Sequence, residues 1–489
     1  MNKDNKDQLL NMIRRGQPMT TAQQLRLTLY LSTPAILAQL TTTMMQYIDA
    51  SMVGSMGAQA SASIGLIEST TWLMGSICSA TAAGFHVQVA HMLGGNNAKA
   101  ARSVLRQGIT SVLLFSITIA LISLSISPFL PIWLGGNDEI NATASIYFAI
   151  FSCALPIFQL SMLASGMLRS SGNMIVPSVL SVTMMALNVV FNFFLIFPSR
   201  TVDVLGLELF IPGAGLSVTG AAIGTASAET IVASIAMYML CRRSKELRLS
   251  IDKGSFIPTW RTIKRAFQIS APMGLQQIIM SSAYITMTII IAPLGTFAIA
   301  ANSFGVIIES ICYMPGYGIS DAATTLVGQS MGAGRRDLMK KFAYIAVGMG
   351  MTVMAVMGAI MYVSAPAVLS MMTPSEEVRQ LGTMILRIEA FAEPMFAAAI
   401  VCYGVFVGAT STLVPSGMNL LSMWGVRITL AFLLAPSMGL KGVWLAMCIE
   451  LCFRGFIFLC RLKWGNWTSH VSPAVAVADV GGQTKNNKQ

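Results

Sequence analysis

Charge is what this sequence has least of. Of its 489 residues only 10% are Asp, Glu, Lys or Arg, whereas 54% are hydrophobic and the mean hydropathy is +0.68. A soluble chain of this length needs far more charge to cover its surface. Cysteine is sparse and unpatterned: Cys78, Cys153, Cys241, Cys312, Cys402, Cys448, Cys452 and Cys460 contain no Cys-x-x-Cys pair. That argues against a disulfide framework and a zinc site, and favours small apolar filler as their role. The three histidines (His86, His91, His470) form no metal-ligand pattern. With no nucleophile or metal cluster the chain does not read as an enzyme, and no cofactor is expected. A channel is disfavoured by the lack of a filter motif. Residues 1–26 are polar and hold no short apolar stretch, so no cleavable signal peptide is expected.

What the sequence has instead is apolar runs. Twelve are long enough to cross a bilayer: 28–53, 61–91, 108–134, 142–168, 173–197, 214–241, 265–293, 299–331, 342–372, 379–408, 413–438 and 440–461. The expected fold is therefore an all-α membrane protein of two six-helix bundles. Its parts are an N-terminal segment (1–27), an amino-terminal lobe (28–241), a basic linker (242–264), a carboxyl-terminal lobe (265–461) and a disordered tail (462–489). With a cytoplasmic amino terminus, 25 of the 31 Lys and Arg fall on the cytoplasmic side. Three fall outside (Arg200, Arg379, Lys441) and three within spans (Arg387, Arg427, Arg454). That asymmetry puts both termini in the cytoplasm. The net charge of +11 then reads as orientation and contact with anionic lipid, with no role for nucleic acid.

The chain also repeats itself. Pro34 and Pro272, Gly57 and Gly295, Gly94 and Gly332, Pro156 and Pro394, and Pro177 and Pro415 are all separated by the same offset. Gly220 and Gly442 stand closer together, so the first half carries about 16 extra residues near Ser199–Leu216. Two halves in the same orientation are typical of secondary transporters, with the site at the interface between them.

Asp49 lies inside the first span with no Lys or Arg within helical reach. An ionisable residue there is expensive and marks a functional site, against the plainer role of interhelical glue. The matching position is Met287; Asn188 and Asn192 match Val426 and Leu430, and Thr225 matches Met447, so the polar set belongs to the first half alone. Asn188 and Asn192 are one helical turn apart, and Ala221, Thr225 and Glu229 form a ladder at spacing four. A carboxylate with amide, hydroxyl and backbone oxygens suits a hard monovalent cation such as Na⁺; the carboxylate alone suits a proton. In the second half, Glu389 and Glu393 stand one turn apart before Pro394. They offer a cationic-substrate contact, a second protonation site or a buried hydrogen-bonded pair, and Gln277 is a further polar candidate in that lobe. Glu450 and Arg454 are spaced to satisfy each other, while Glu309 and Asp321 flank the kink-prone Met314–Gly318. The 35 Met and 23 Phe suit either a promiscuous pocket or ordinary lipid-facing packing.

Residues 318–334, containing Val327-Gly328-Gln329-Ser330-Met331-Gly332-Ala333-Gly334, resemble the signature of the multidrug and toxic compound extrusion (MATE) transporters. Leu168-Arg169-Ser170-Ser171-Gly172-Asn173 and Asp49 add to the likeness, which covers about residues 20–463. The resemblance implies two bundles around a cleft and a monomer that exports cationic or amphipathic small molecules in exchange for Na⁺ or H⁺. It places the cation site on Asp49, Asn188, Asn192 and Thr225, completed by the carbonyl of Ala221. Some relatives of this kind use an acid in the seventh span, where this chain reads Gly274–Met280 without one; Glu389 and Glu393 are the stand-ins. Asp321 stands where a small or neutral residue is expected. The alternatives are a lipid-linked precursor flippase of a related fold, which needs a strongly basic cleft, and a major-facilitator transporter, whose charged loop after the second span is not visible here.

Overall fold

Each apolar run, bounded by Gly, Asn or Pro joints, forms a helix or a helix pair in the computed structural model, which describes residues 3–204 and 207–468. The amino-terminal half contains α1 (Lys3–Arg14), α2 (Thr21–Gly54), α3 (Ala58–Gly94), α4 (Ala98–Ile126), the single turn α5 (Leu130–Trp133), α6 (Asp138–Ser170), α7 (Ile175–Ile196) and α8 (Ser217–Tyr238). The carboxyl-terminal half contains α9 (Trp260–Ile291), α10 (Thr296–Gly332), α11 (Arg336–Met372), α12 (Glu376–Glu389), α13 (Glu393–Gly408), α14 (Leu413–Leu420), α15 (Thr429–Met438) and α16 (Leu440–Trp464). A π-helical stretch, Leu421–Ile428, joins α14 to α15. The expected tail falls mostly on 469–489, which with His470, Lys485 and Lys488 lies outside the described residues.

Among the described residues nine helices are long and apolar enough to span a membrane, or ten if α12 and α13, bent by 58°, count as one span. The count falls short of twelve because α2 and α3, though 34 and 37 residues long, are too polar. Those two carry polar groups of the site and of the seam between lobes. Apolar side chains such as Val363, Phe432 and Ile289 stand exposed around the outside, as lipid contact requires. The extra residues of the first half form an antiparallel hairpin, β1 (Pro198–Val204) and β2 (Leu207–Ala214), which apolar periodicity did not disclose.

The repeat is visible in the backbone. Gly57 and Gly295 cap α3 and α10 with φ of +109° and +95°, a region that favours glycine. At the other ends of the same helices the lobes touch reciprocally. A Cβ on Gly94 would lie 2.0 Å from the Gln329 carbonyl, and one on Gly332 would lie 1.9 Å from the His91 carbonyl. His91 and Gln329 are themselves repeat partners, so the contact is isologous, as a two-fold relation demands. Both helices run toward that contact, so the halves stand the same way up.

Further polar links extend the seam. His91 Nε2 lies 2.8 Å from the Gly408 carbonyl, Gln329 Nε2 donates to the Ser170 carbonyl at 2.8 Å, and Tyr47 Oη meets Ser310 Oγ at 2.6 Å. The amino-terminal segment is more structured than a tail. α1 seats Leu9, Leu10 and Ile13 against Met174 of one lobe and Leu326 and Phe342 of the other. Arg14 pairs with Glu246 of the linker and donates to the Ser171 carbonyl (3.2 Å) and to Gln329 Oε1 (3.3 Å). The linker itself is pinned where Arg102 and Arg106 clasp Asp252 at 2.7 and 2.6 Å.

Candidate functional site

Pro34 sits inside α2, where its missing N–H loosens the turn, and its carbonyl accepts a hydrogen bond from Ser178 Oγ of α7. The two helices are thus joined near their starts and travel together. Fifteen positions on, α2 presents Asp49 to α7. There Asn192 Nδ2 donates to Asp49 Oδ1 at 2.8 Å and to Asn188 Oδ1 at 3.0 Å, and Asn188 Nδ2 donates to Thr225 Oγ1 at 2.9 Å. Four sequence-predicted residues from α2, α7 and α8 form one hydrogen-bonded chain, inside the amino-terminal lobe rather than at the interface between halves. Both asparagines are wholly buried, Asp49 is half-buried, and among the described residues no Lys or Arg pairs with it. Asn192 Oδ1 is buried without a hydrogen-bond partner among the described residues. A buried acceptor in that condition is costly unless something fills it.

Gly224 makes the arrangement possible. A Cβ there would lie 2.2 Å from Asn192 Oδ1, so only glycine lets the amide lie flat on α8. Spacing arguments passed over it, although it precedes Thr225 directly. Ala221, one turn before Thr225, packs with Val53 and Ile196 beside the chain of polar groups. Glu229, the ladder's third rung, is instead drawn to Ser161 of α6.

The matched positions of the other lobe are apolar in fact as in sequence: Met287 and Met447 are buried in its core, with Leu430 packed on them. That lobe gathers its own acids elsewhere. Glu389 ends α12 and Glu393 begins α13, so the expected single turn is a break, and Pro394 stands in the first turn of the new helix. Both carboxyls are fully buried, and none of their four oxygens has a hydrogen-bond partner among the described residues. Glu309 of α10 is a charged neighbour of both, and Arg427 and Glu450 are neighbours of Glu389. Gln277 does not join them: its Nε2 reaches across to Ser76 Oγ of α3 at 3.4 Å.

Three further acids each have a partner among the described residues. Glu450 pairs with Arg454 at 2.6 Å, as spaced, and also takes a hydrogen bond from Ser422 Oγ. Glu68 is exposed and accepts from Trp72 Nε1 at 3.4 Å. Asp321 is explained by the seam: one oxygen takes hydrogen bonds from Arg169 and from Gln39 Nε2, each at 3.1 Å, tying α10 to α6 and α2. A position that looked out of place within one lobe is a clamp between two.

A model of the family described as MatE matches residues 34–194 and again 272–433, the two matches starting at the repeat partners Pro34 and Pro272. The chain is 23% identical over 427 residues to the probable multidrug resistance protein NorM of Thermotoga maritima, covering 86% of this chain and 88% of that one. To the protein of the same description from Idiomarina loihiensis it is 24% identical, with coverages of 88% and 92%. A crystal structure of MATE in complex with MaD3S superposes with a TM-score of 0.83 at 17% identity, covering 92% of this chain and 97% of that one. At such identity the superposition speaks to the fold alone.

Proposed function

The chain belongs to the MatE family of membrane transporters, and on that basis we propose that it is a multidrug efflux antiporter coupled to Na⁺ or H⁺ at Asp49. The relatives described as multidrug resistance proteins support the substrate class, cationic or amphipathic small molecules. The observation that carries the coupling reading is Asn192 Oδ1, an unpartnered buried oxygen on the amide that touches an unpaired carboxylate. With Asp49 ionised, that oxygen, the carboxylate and the Thr225 hydroxyl offer a monovalent cation hard ligands. With Asp49 protonated, the Asn192 amide turns over and accepts its O–H.

Coupling follows from where α2 lies. One helix carries Asp49 to α7 and, two residues earlier, Tyr47 to Ser310 of the other lobe. Filling or emptying the ion site changes how α2 sits against α7 and hence against α10. A ligand that binds both lobe arrangements equally shifts nothing, so the ion and the exported compound must favour opposite arrangements. Glu309, Glu389 and Glu393 form a second acidic centre suited to a cationic substrate or a second proton. The working unit is a monomer, without a cofactor, in the cytoplasmic membrane with both termini inside.

The test uses purified protein in proteoliposomes loaded with a fluorescent cationic dye, under a Na⁺ gradient or a pH gradient imposed separately. One gradient is expected to drive dye uphill in the wild type, and neither in Asp49→Asn. In that variant Asn192 can still donate to the side-chain oxygen, so insertion persists. Uphill transport by Asp49→Asn overturns the assignment.

A further inference from the structure

The carboxyl-terminal lobe has a groove of about 830 Å³ that the transport reading leaves unused. Its floor is α12, its walls are α11 and α16, and all three belong to that lobe's own packing. Pro366, Ile388, Phe391 and Leu445 line it, and Arg379, Arg387 and Lys441 converge on it. It lies at the membrane end opposite α1 and the end of α16, where α11 finishes and α12 and α16 begin.

The charges there are unusual. Outside the spans only three of the chain's basic residues stand at that end, Arg200, Arg379 and Lys441, and two of them meet in this one groove. Arg379 is answered by Glu376. Lys441 and Arg387 are not: among the described residues no carboxylate pairs with either. Arg387 lies eight residues past Arg379 on α12, about 12 Å deeper at the rise of a helix. Its protein contacts are the Tyr362 carbonyl at 3.4 Å and the Tyr362 ring at 5.1 Å. An unneutralised guanidinium at that depth on a lipid-facing surface calls for an anion supplied from outside the protein. The apolar lining says which kind: Pro366, Ile388, Phe391 and Leu445 flank the charges, and Phe391, 73% exposed, gives the groove an apolar rim. A free inorganic anion gains nothing from such a rim, whereas an acyl chain does.

We propose that this groove binds one anionic phospholipid, its phosphate held by Arg387 and Lys441 and an acyl chain laid along Pro366, Ile388, Phe391 and Leu445. A tightly held lipid there would brace α12, the helix that ends at Glu389, so its headgroup stands on the element that bears the lobe's buried acids.

The test is native mass spectrometry of the full chain in detergent, titrated with phosphatidylglycerol, phosphatidylcholine or inorganic phosphate. The wild type is expected to retain one phosphatidylglycerol, not to retain phosphatidylcholine, and not to release the bound lipid to millimolar phosphate. At about fivefold in affinity per basic residue near the lipid surface, Arg387→Gln with Lys441→Gln should weaken retention about thirtyfold. Arg387→Lys, which keeps the charge, should weaken it little. Equal retention by wild type and the double variant overturns the proposal. So does equal binding of phosphatidylcholine, displacement by phosphate, or a loss in Arg387→Lys as large as in Arg387→Gln.

Discussion

Gly224→Ala is the sharpest perturbation of the ion site, because it leaves every polar group in the chain and moves one of them. The added Cβ would sit 2.2 Å from Asn192 Oδ1, where ordinary contact begins near 3.4 Å, so the amide must move by about 1.2 Å. The amide nitrogen moves with it, and its bonds to Asp49 and Asn188, 2.8 and 3.0 Å long, cannot both keep hydrogen-bond geometry. Losing one charge-assisted bond of this kind costs about 1.5–3 kcal/mol, or roughly ten- to a hundredfold in affinity for the coupling ion. The fold should suffer less, since the atom displaced is the end of a side chain. Gly220→Ala is the control: its Cβ would press on the Leu195 carbonyl at 2.5 Å, straining the same two helices without touching Asn192. The assay is the Na⁺ or pH dependence of dye efflux in proteoliposomes, with the melting temperature measured in parallel. Gly224→Ala should shift the ion dependence ten- to a hundredfold with a small loss of stability. Gly220→Ala should lower the melting temperature and leave the ion dependence of the folded fraction alone. If Gly224→Ala keeps the wild-type ion dependence, the hydrogen-bonded chain is not the coupling site.

Two other expectations concern the seam and the linker. Gly332→Val puts a branched side chain where a Cβ alone would lie 1.9 Å from the His91 carbonyl. Overpacking of this kind costs about 1–3 kcal/mol, so the melting temperature should fall and hydrogen exchange over 86–94 and 326–332 should quicken; unchanged exchange would contradict the reciprocal contact. At the linker, the hydrogen bond from Arg102, with that from Arg106, holds the Asp252 carboxyl down at about 2, against an ordinary value near 3.8. A depressed carboxyl lends its stabilisation above its ordinary value and withdraws it as pH falls toward the depressed one. Linker docking should therefore be constant from neutral pH to about 4 and fail between about 4 and 2. Asp252→Asn should mimic that loss at pH 7, as faster tryptic cleavage at Lys253; cleavage at the wild-type rate would argue that the clasp does not hold the linker.

Much of this was legible in the chain because its causes are local or periodic. Apolar run length sets which segments can lie in lipid, and a Gly and Pro pattern recurring at one fixed offset marks two halves built alike. Asp49, Asn188, Asn192 and Thr225 stood out because helical spacing puts them on shared faces and their repeat partners are Met287, Val426, Leu430 and Met447. Gly224 was missed because what it does depends on α7, about which spacing along its own helix says nothing.

The order of residues was enough to give the membrane class, the doubled architecture and the polar residues that share a helical face, since burial cost and helical period act on neighbours along the chain. It took the folded molecule to break the helix between Glu389 and Glu393, and to close Asp321 on the opposite lobe. The fold alone also turned two outlying basic residues and Arg387 toward one groove. Those outcomes depend on close approach between segments distant in sequence. Where a carbonyl crowds the place of an absent methyl, or a cation seats against an acid, the docking of the lobes sets the geometry.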